Sequence, residues 1–200
     1  MHQPNLLHPL THSSESQPMP LPKAAPRKLH HLRDITLRGY EREDGLIDIE
    51  AHMTDTKTYS FGNSERGAIP AGDPLHDMWL RLTLNQSLTI EAVEAAMDAT
   101  PHTMCPAITP NFQRLVGLSI AKGFLKAAAE RLGGINGCTH LRELLQQIGT
   151  VAFQTTFSIR GQKDTAERDP ARPRRIPPML LNTCHTYAET SAYVTQRAAE

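Results

Sequence analysis

Cysteine is scarce in this chain: Cys105, Cys138 and Cys184 are the three in 200 residues. They are too few and too scattered for a disulfide framework. Net charge is missing as well, because 21 Lys and Arg balance 21 Asp and Glu. That balance argues against broad electrostatic binding to nucleic acid or to an anionic membrane. Long hydrophobic runs are absent too. No stretch approaches the roughly 18 apolar residues of a membrane span, and the N-terminus lacks the basic and apolar regions of a secretory signal. The expectation is a protein of a reducing, bacterial-type cytoplasm. A 200-residue chain with 39% apolar content suits one globular domain with non-globular margins.

What is present divides the chain in order. Residues 1–29 are rich in Pro, His, Ser and Gln and offer too little apolar surface to offset ordering entropy, so they read as a disordered tail. A core domain is expected over residues 30–160. Asp34 to Arg38 alternates polar and apolar residues. Ile47, Ile49, Ala51 and Met53 then alternate with Asp48, Glu50 and His52, which predicts an antiparallel hairpin with the polar set on a solvated face. Met78, Leu80, Leu82 and Leu84 alternate with Trp79, Arg81 and Thr83, the clearest strand of all. From Leu88 to Ala99 the Ala and Glu content favours a helix, whereas the short turn at Asn85-Gln86-Ser87 favours a second strand.

Over 111–132, Phe112, Leu115, Val116, Ile120, Phe124 and Ala128 share a helical face, and Gly133-Gly134 supplies the stop. A second helix over 141–155 would bury Leu144, Leu145, Ile148 and Ala152. Residues 161–178 are charged and proline-rich, a linker. Residues 179–200 form a C-terminal segment with the option of docking on the core. The fold class is therefore α+β, a small antiparallel sheet with two or more helices on one face.

Chemistry-bearing residues gather at the ends of these elements: His76 at a loop–strand junction, Cys105 in a loop, and Cys138 with His140 before the second helix. Asp77, Cys184 and His185 are additional candidates. Two thiolates and two imidazoles suit zinc or an iron–sulfur cluster. Cys138 and His140 diverge by roughly 200° if both are helical, so they converge only where the helix starts near His140. A rival reading makes Cys138 a nucleophile, activated by the helix N-terminus and His140, with Asp77 or Glu143 orienting the imidazole. A third reading is an interaction module whose cysteines are buried and inert. No nucleic-acid or membrane partner is expected; a protein partner remains open.

Three runs carry a family resemblance: Gly39-Tyr40-Glu41-Arg42-Glu43-Asp44-Gly45-Leu46, Leu75-His76-Asp77-Met78-Trp79-Leu80-Arg81-Leu82-Thr83, and Gly137-Cys138-Thr139-His140-Leu141. The chain from about His31 to His185 resembles an uncharacterised bacterial family known only as a domain of unknown function, which implies no activity. The order strand, hairpin, Cys loop, long helix, Cys turn, helix also resembles the NifU-type iron–sulfur scaffolds. That likeness implies ligands near His76-Asp77, at Cys105 and at Cys138, and a strand over 88–97. It departs from the pattern with His76 where a cysteine is usual, Met104-Cys105 for Gly-Cys, and His140 after the last cysteine instead of before it.

Overall fold

The computed structural model of the chain describes residues 21–165 and 176–198. Most of the expected tail and linker, residues 1–20 and 166–175, lies outside them. The period-two segments become a four-stranded antiparallel sheet in the order β1-β2-β5-β6: β1 His31–Glu41, β2 Ile47–Lys57, β5 Pro74–Leu84 and β6 Ile90–Ala99. A separate small hairpin, β3 Phe61–Asn63 and β4 Gly67–Ile69, interrupts the β2–β5 connection. The ambiguous segment after Ser87 is a strand. Its Ile90 and Val93 are buried and its backbone pairs with β5, so tertiary pairing overrides the helical leaning of Ala and Glu.

The helix expected over 111–132 is not continuous. Residues Cys105–Leu115 form 3-10 turns, an irregular stretch follows, and the α-helix α1 covers only Phe124–Leu132. The reason lies in the backbone of the irregular stretch, which is committed to β6. Gly117 N–H donates to the Ile90 carbonyl, Ile90 N–H to that of Leu118, and Ile120 N–H to that of Leu88. Gly117 and Gly123 take φ of +83° and +90°, the left-handed region that glycine enters at little cost and that ends a helix. Phe112, Leu115, Ile120, Phe124 and Ala128 are nevertheless all buried. The second helix, α2, is longer than expected, Thr139–Thr165, and so runs five residues into the segment read as linker. A 3-10 turn at Pro178–Leu180 and a short helix, α3 Ala192–Ala198, complete the described chain. No described helix is long and apolar enough to cross a membrane.

Alternation assigns the two sheet faces. One presents Ile47, Ile49, Ala51 and Met53 of β2 and Met78, Leu80, Leu82 and Leu84 of β5, all buried in one core with Leu141, Leu144, Leu145, Ile148 and Ala152 of α2. The opposite face is polar. Arg81 donates to Glu50 and Glu94, Thr83 to Asp48, and the His52 ring stacks on Trp79 at 3.6 Å.

Candidate metal centre

The core face does not stay apolar to its end. Two residues beyond Met53 stands Asp55, and two before Met78 stands His76, both in phase with the core positions. The ladder sets Arg33 of β1 opposite Asp55 of β2, and Asp55 opposite His76 of β5, one row across three strands. α2 starts over this row, so His140 and Glu143 in its first turns close the core face where the apolar side chains run out. Asp55 is 1% exposed and His76 is 7% exposed.

A carboxylate so buried needs compensation, and this one is fully coordinated by donors. Arg33 Nε donates to Oδ1 at 2.7 Å and Arg33 Nη2 to Oδ2 at 2.8 Å, a bidentate fork. His31 Nε2 donates to Oδ1 at 3.1 Å and His76 Nδ1 to Oδ2 at 2.9 Å. Burial alone would raise the Asp55 carboxyl, but Arg33 and then His76 outweigh it and hold the group at about 2. Ionised Asp55 can only accept, so the proton of a neutral His76 sits on Nδ1. Burial, and then the neighbouring His140, push His76 below the usual imidazole range, which keeps that ring neutral at pH 7. Its Nε2 therefore carries a lone pair. The His140 ring lies 3.9 Å away, centroid to centroid, tilted by 38°. One ligand atom each from Asp55, His76 and His140 lies within 4.8 Å of the other two.

The local sequence explains why the helix arrives there. Gly137 lies so close to the end of α1 that a Cβ would sit 2.3 Å from the Leu132 carbonyl oxygen. Only glycine fits, and the tight passage turns Cys138 into the start of α2. The Cys138 carbonyl accepts the Arg142 N–H, the first helical bond, and its sulfur lies 4.0 Å from His140 Nδ1. Arg33 spans both layers: its Nη1 donates to Glu143 of α2 at 2.7 Å while its fork holds Asp55.

Of the residues expected to share a site, His76 and His140 come together, with Cys138 at their edge. The others stand elsewhere. Asp77 is out of phase with His76 and points to the opposite face, where its Oδ1 accepts from His52 Nε2 at 2.7 Å. Cys105, half-buried, begins the 3-10 turns after β6 and is not among the clustered ligand atoms of the described residues. Cys184 and His185 are exposed in the C-terminal segment. Asp55, Arg33 and His31 were missed by motif reasoning. Phase would have found Asp55: a carboxylate in register with four buried apolar residues must have partners.

No curated protein and no solved structure matches the chain. A family match covers residues 31–154, from the start of β1 into α2, and so includes every residue of the cluster while leaving out Cys184-His185. By that match the chain belongs to the family described as protein of unknown function (DUF2889).

Proposed function

We propose that this protein binds a divalent transition metal, zinc being the best fit, between His76 and His140, and serves as a metal-binding accessory protein in the cytoplasm. The observation that carries the reading is a buried imidazole, His76, beside a half-buried one, His140, with one nitrogen defined. Asp55 fixes the Nδ1–H tautomer of His76 and leaves its Nε2 lone pair available beside the His140 ring, the carboxylate–histidine arrangement that orients ligands at zinc sites. All the acceptor positions of Asp55 are in use, so it acts as the orienting group while the two imidazoles are the ligands. The Cys138 sulfur lies 4.0 Å from His140 Nδ1 but outside the Asp55–His76–His140 cluster, so a thiolate third ligand requires a shift of the Cys138 turn. Imidazole with a single thiol favours zinc over an iron–sulfur cluster, which takes several thiolates. The donor set thus leans away from the scaffold resemblance.

Equilibrium dialysis against micromolar zinc tests this. One zinc per chain is expected, with loss of tight binding in His76→Ala and His140→Ala and a weaker loss in Cys138→Ser. Equal zinc retention by wild type and both histidine variants would refute the reading.

The 4.0 Å approach of Cys138 to His140 favours a second reading, a thiol-dependent enzyme with Cys138 as nucleophile. That reading predicts faster iodoacetamide alkylation of Cys138 than of exposed Cys184 in metal-free protein, and loss of the difference in His140→Ala.

A further inference from the structure

Among the described residues β1 is an edge strand of 11 residues, and its packed neighbours are β2 along one side and α2 over the core face. Edges are ordinarily blunted by lysine, proline, a bulge or shortness. β1 contains neither Lys nor Pro and its register with β2 runs unbroken from His31↔Lys57 to Glu41↔Ile47, while the charges on its open face, Asp34 and Arg38, are of opposite sign and complement a copy of the strand. Among the described residues no strand pairs with the outer side of β1, so the outward backbone N–H and C=O groups between Leu32 and Tyr40 are placed to template another strand.

The side chains say which strand. An antiparallel pairing of β1 with its own copy, about a two-fold axis through Thr36, sets Asp34 opposite Arg38, Ile35 opposite Leu37 and Leu32 opposite Tyr40, each pair occurring twice. Parity keeps every residue on the face it already occupies. Asp34 and Arg38, exposed and without a hydrogen bond or ion pair to any described residue, become cross-strand ion pairs on the open face. Leu32 and Tyr40, each 43% exposed, cover one another there. On the helix-covered face, Ile35 and Leu37 sit against the core only partly buried, and the pairing lets each shield the other's copy. The neighbouring symmetric registers lose this match. An axis through Ile35 puts Leu32 against Arg38, and one through Leu37 puts Asp34 against Tyr40 and Ile35 against Gly39.

We infer that β1 is a homodimer interface, joining two copies into a continuous eight-stranded antiparallel sheet with Thr36 on the axis. A self-complementary strand is the requirement of a two-fold interface, since the same patch must serve both partners. Both copies of the Asp55–His76–His140 cluster then lie on the same side of the joined sheet. The inference is independent of whether that cluster holds metal.

Sedimentation equilibrium of the full chain over a range of concentrations tests it, with circular dichroism to confirm that each variant folds. Wild type is expected to reach twice the 22.2 kDa chain mass. Asp34→Arg and Arg38→Asp each place like charges opposite one another twice and should weaken association by roughly tenfold or more. The double swap Asp34→Arg/Arg38→Asp restores opposite charges and should recover association. Thr36→Cys should crosslink to itself on mild oxidation, beyond any crosslinking through the three native cysteines, and this readout holds even if a charge variant fails to fold. A monomer at every concentration would overturn the inference. So would a dimer indifferent to both single charge reversals, or one that shows no added crosslink through Thr36→Cys.

Discussion

At the scale of single residues, the centre of the molecule's chemistry is Asp55, a carboxylate that folding buries only because four donor atoms meet it. Replacing it by Asn keeps the shape but removes the charge that matches Arg33 and fixes the His76 proton. Breaking a buried pair from one side is strongly unfavourable, so Asp55→Asn should lower stability by on the order of 3 kcal/mol in urea titrations. Carboxylates held below their ordinary values, Asp55, Asp44 and Glu65, also set the acid response. Glu65 accepts the Thr103 N–H, the His102 ring and the Thr103 hydroxyl, which together hold it at about 2, below its ordinary 4.5. A carboxyl depressed in the folded state stabilises fully above its unfolded value and loses that contribution as pH falls through the folded one. Unfolding midpoints should therefore fall between about pH 4.5 and pH 2, and Glu65→Gln should flatten part of the decline. An unchanged slope in Glu65→Gln would show that the Thr103 contacts do not form in solution.

At the scale of elements, the site depends on where α2 begins. Gly137→Ala must push the Leu132 carbonyl or shift the turn, moving Cys138 and His140 away from His76. Its signature would be loss of zinc affinity with every candidate ligand still present. Leu144→Ala, by contrast, hollows the α2–sheet contact and should cost about 2–5 kcal/mol without changing the donor set. The strands were legible because alternation along β2 and β5 is nearly perfect, with one face packed on the core and the other wet. The break over 116–123 was not, because a helical stripe from Phe112 to Ala128 survives it: 3-10 turns and a short helix bury the same residues. What separates the two outcomes is a backbone pairing with β6, and hydrophobic periodicity does not register a long-range hydrogen bond. The site was half legible for a related reason. His76 and His140 could be singled out by residue type and position at element ends, but their partner Asp55 is recognisable only once the register of three strands is known. The same phase rule separates Asp77 from His76 and sends it to the other face.

At the scale of the whole molecule, two layers meet at one end around a polar row instead of a sealed apolar edge. The sheet contributes Arg33, Asp55 and His76; the helical layer contributes Cys138, His140 and Glu143. A metal between His76 and His140 would tie these layers together, so saturating zinc should raise the thermal midpoint of wild type and leave that of His140→Ala unmoved. Among the described residues the opposite sheet face is a lattice of ion pairs with no helix over it and β1 is an edge strand, so the layered core they form is one-sided. The most direct test of the central claim is anomalous diffraction at the zinc edge from crystals grown with zinc. The account predicts a peak about 2.0–2.1 Å from His76 Nε2 and from a His140 ring nitrogen, with Asp55 still on His76 Nδ1. A zinc-saturated crystal with no anomalous peak between those two imidazoles would contradict it.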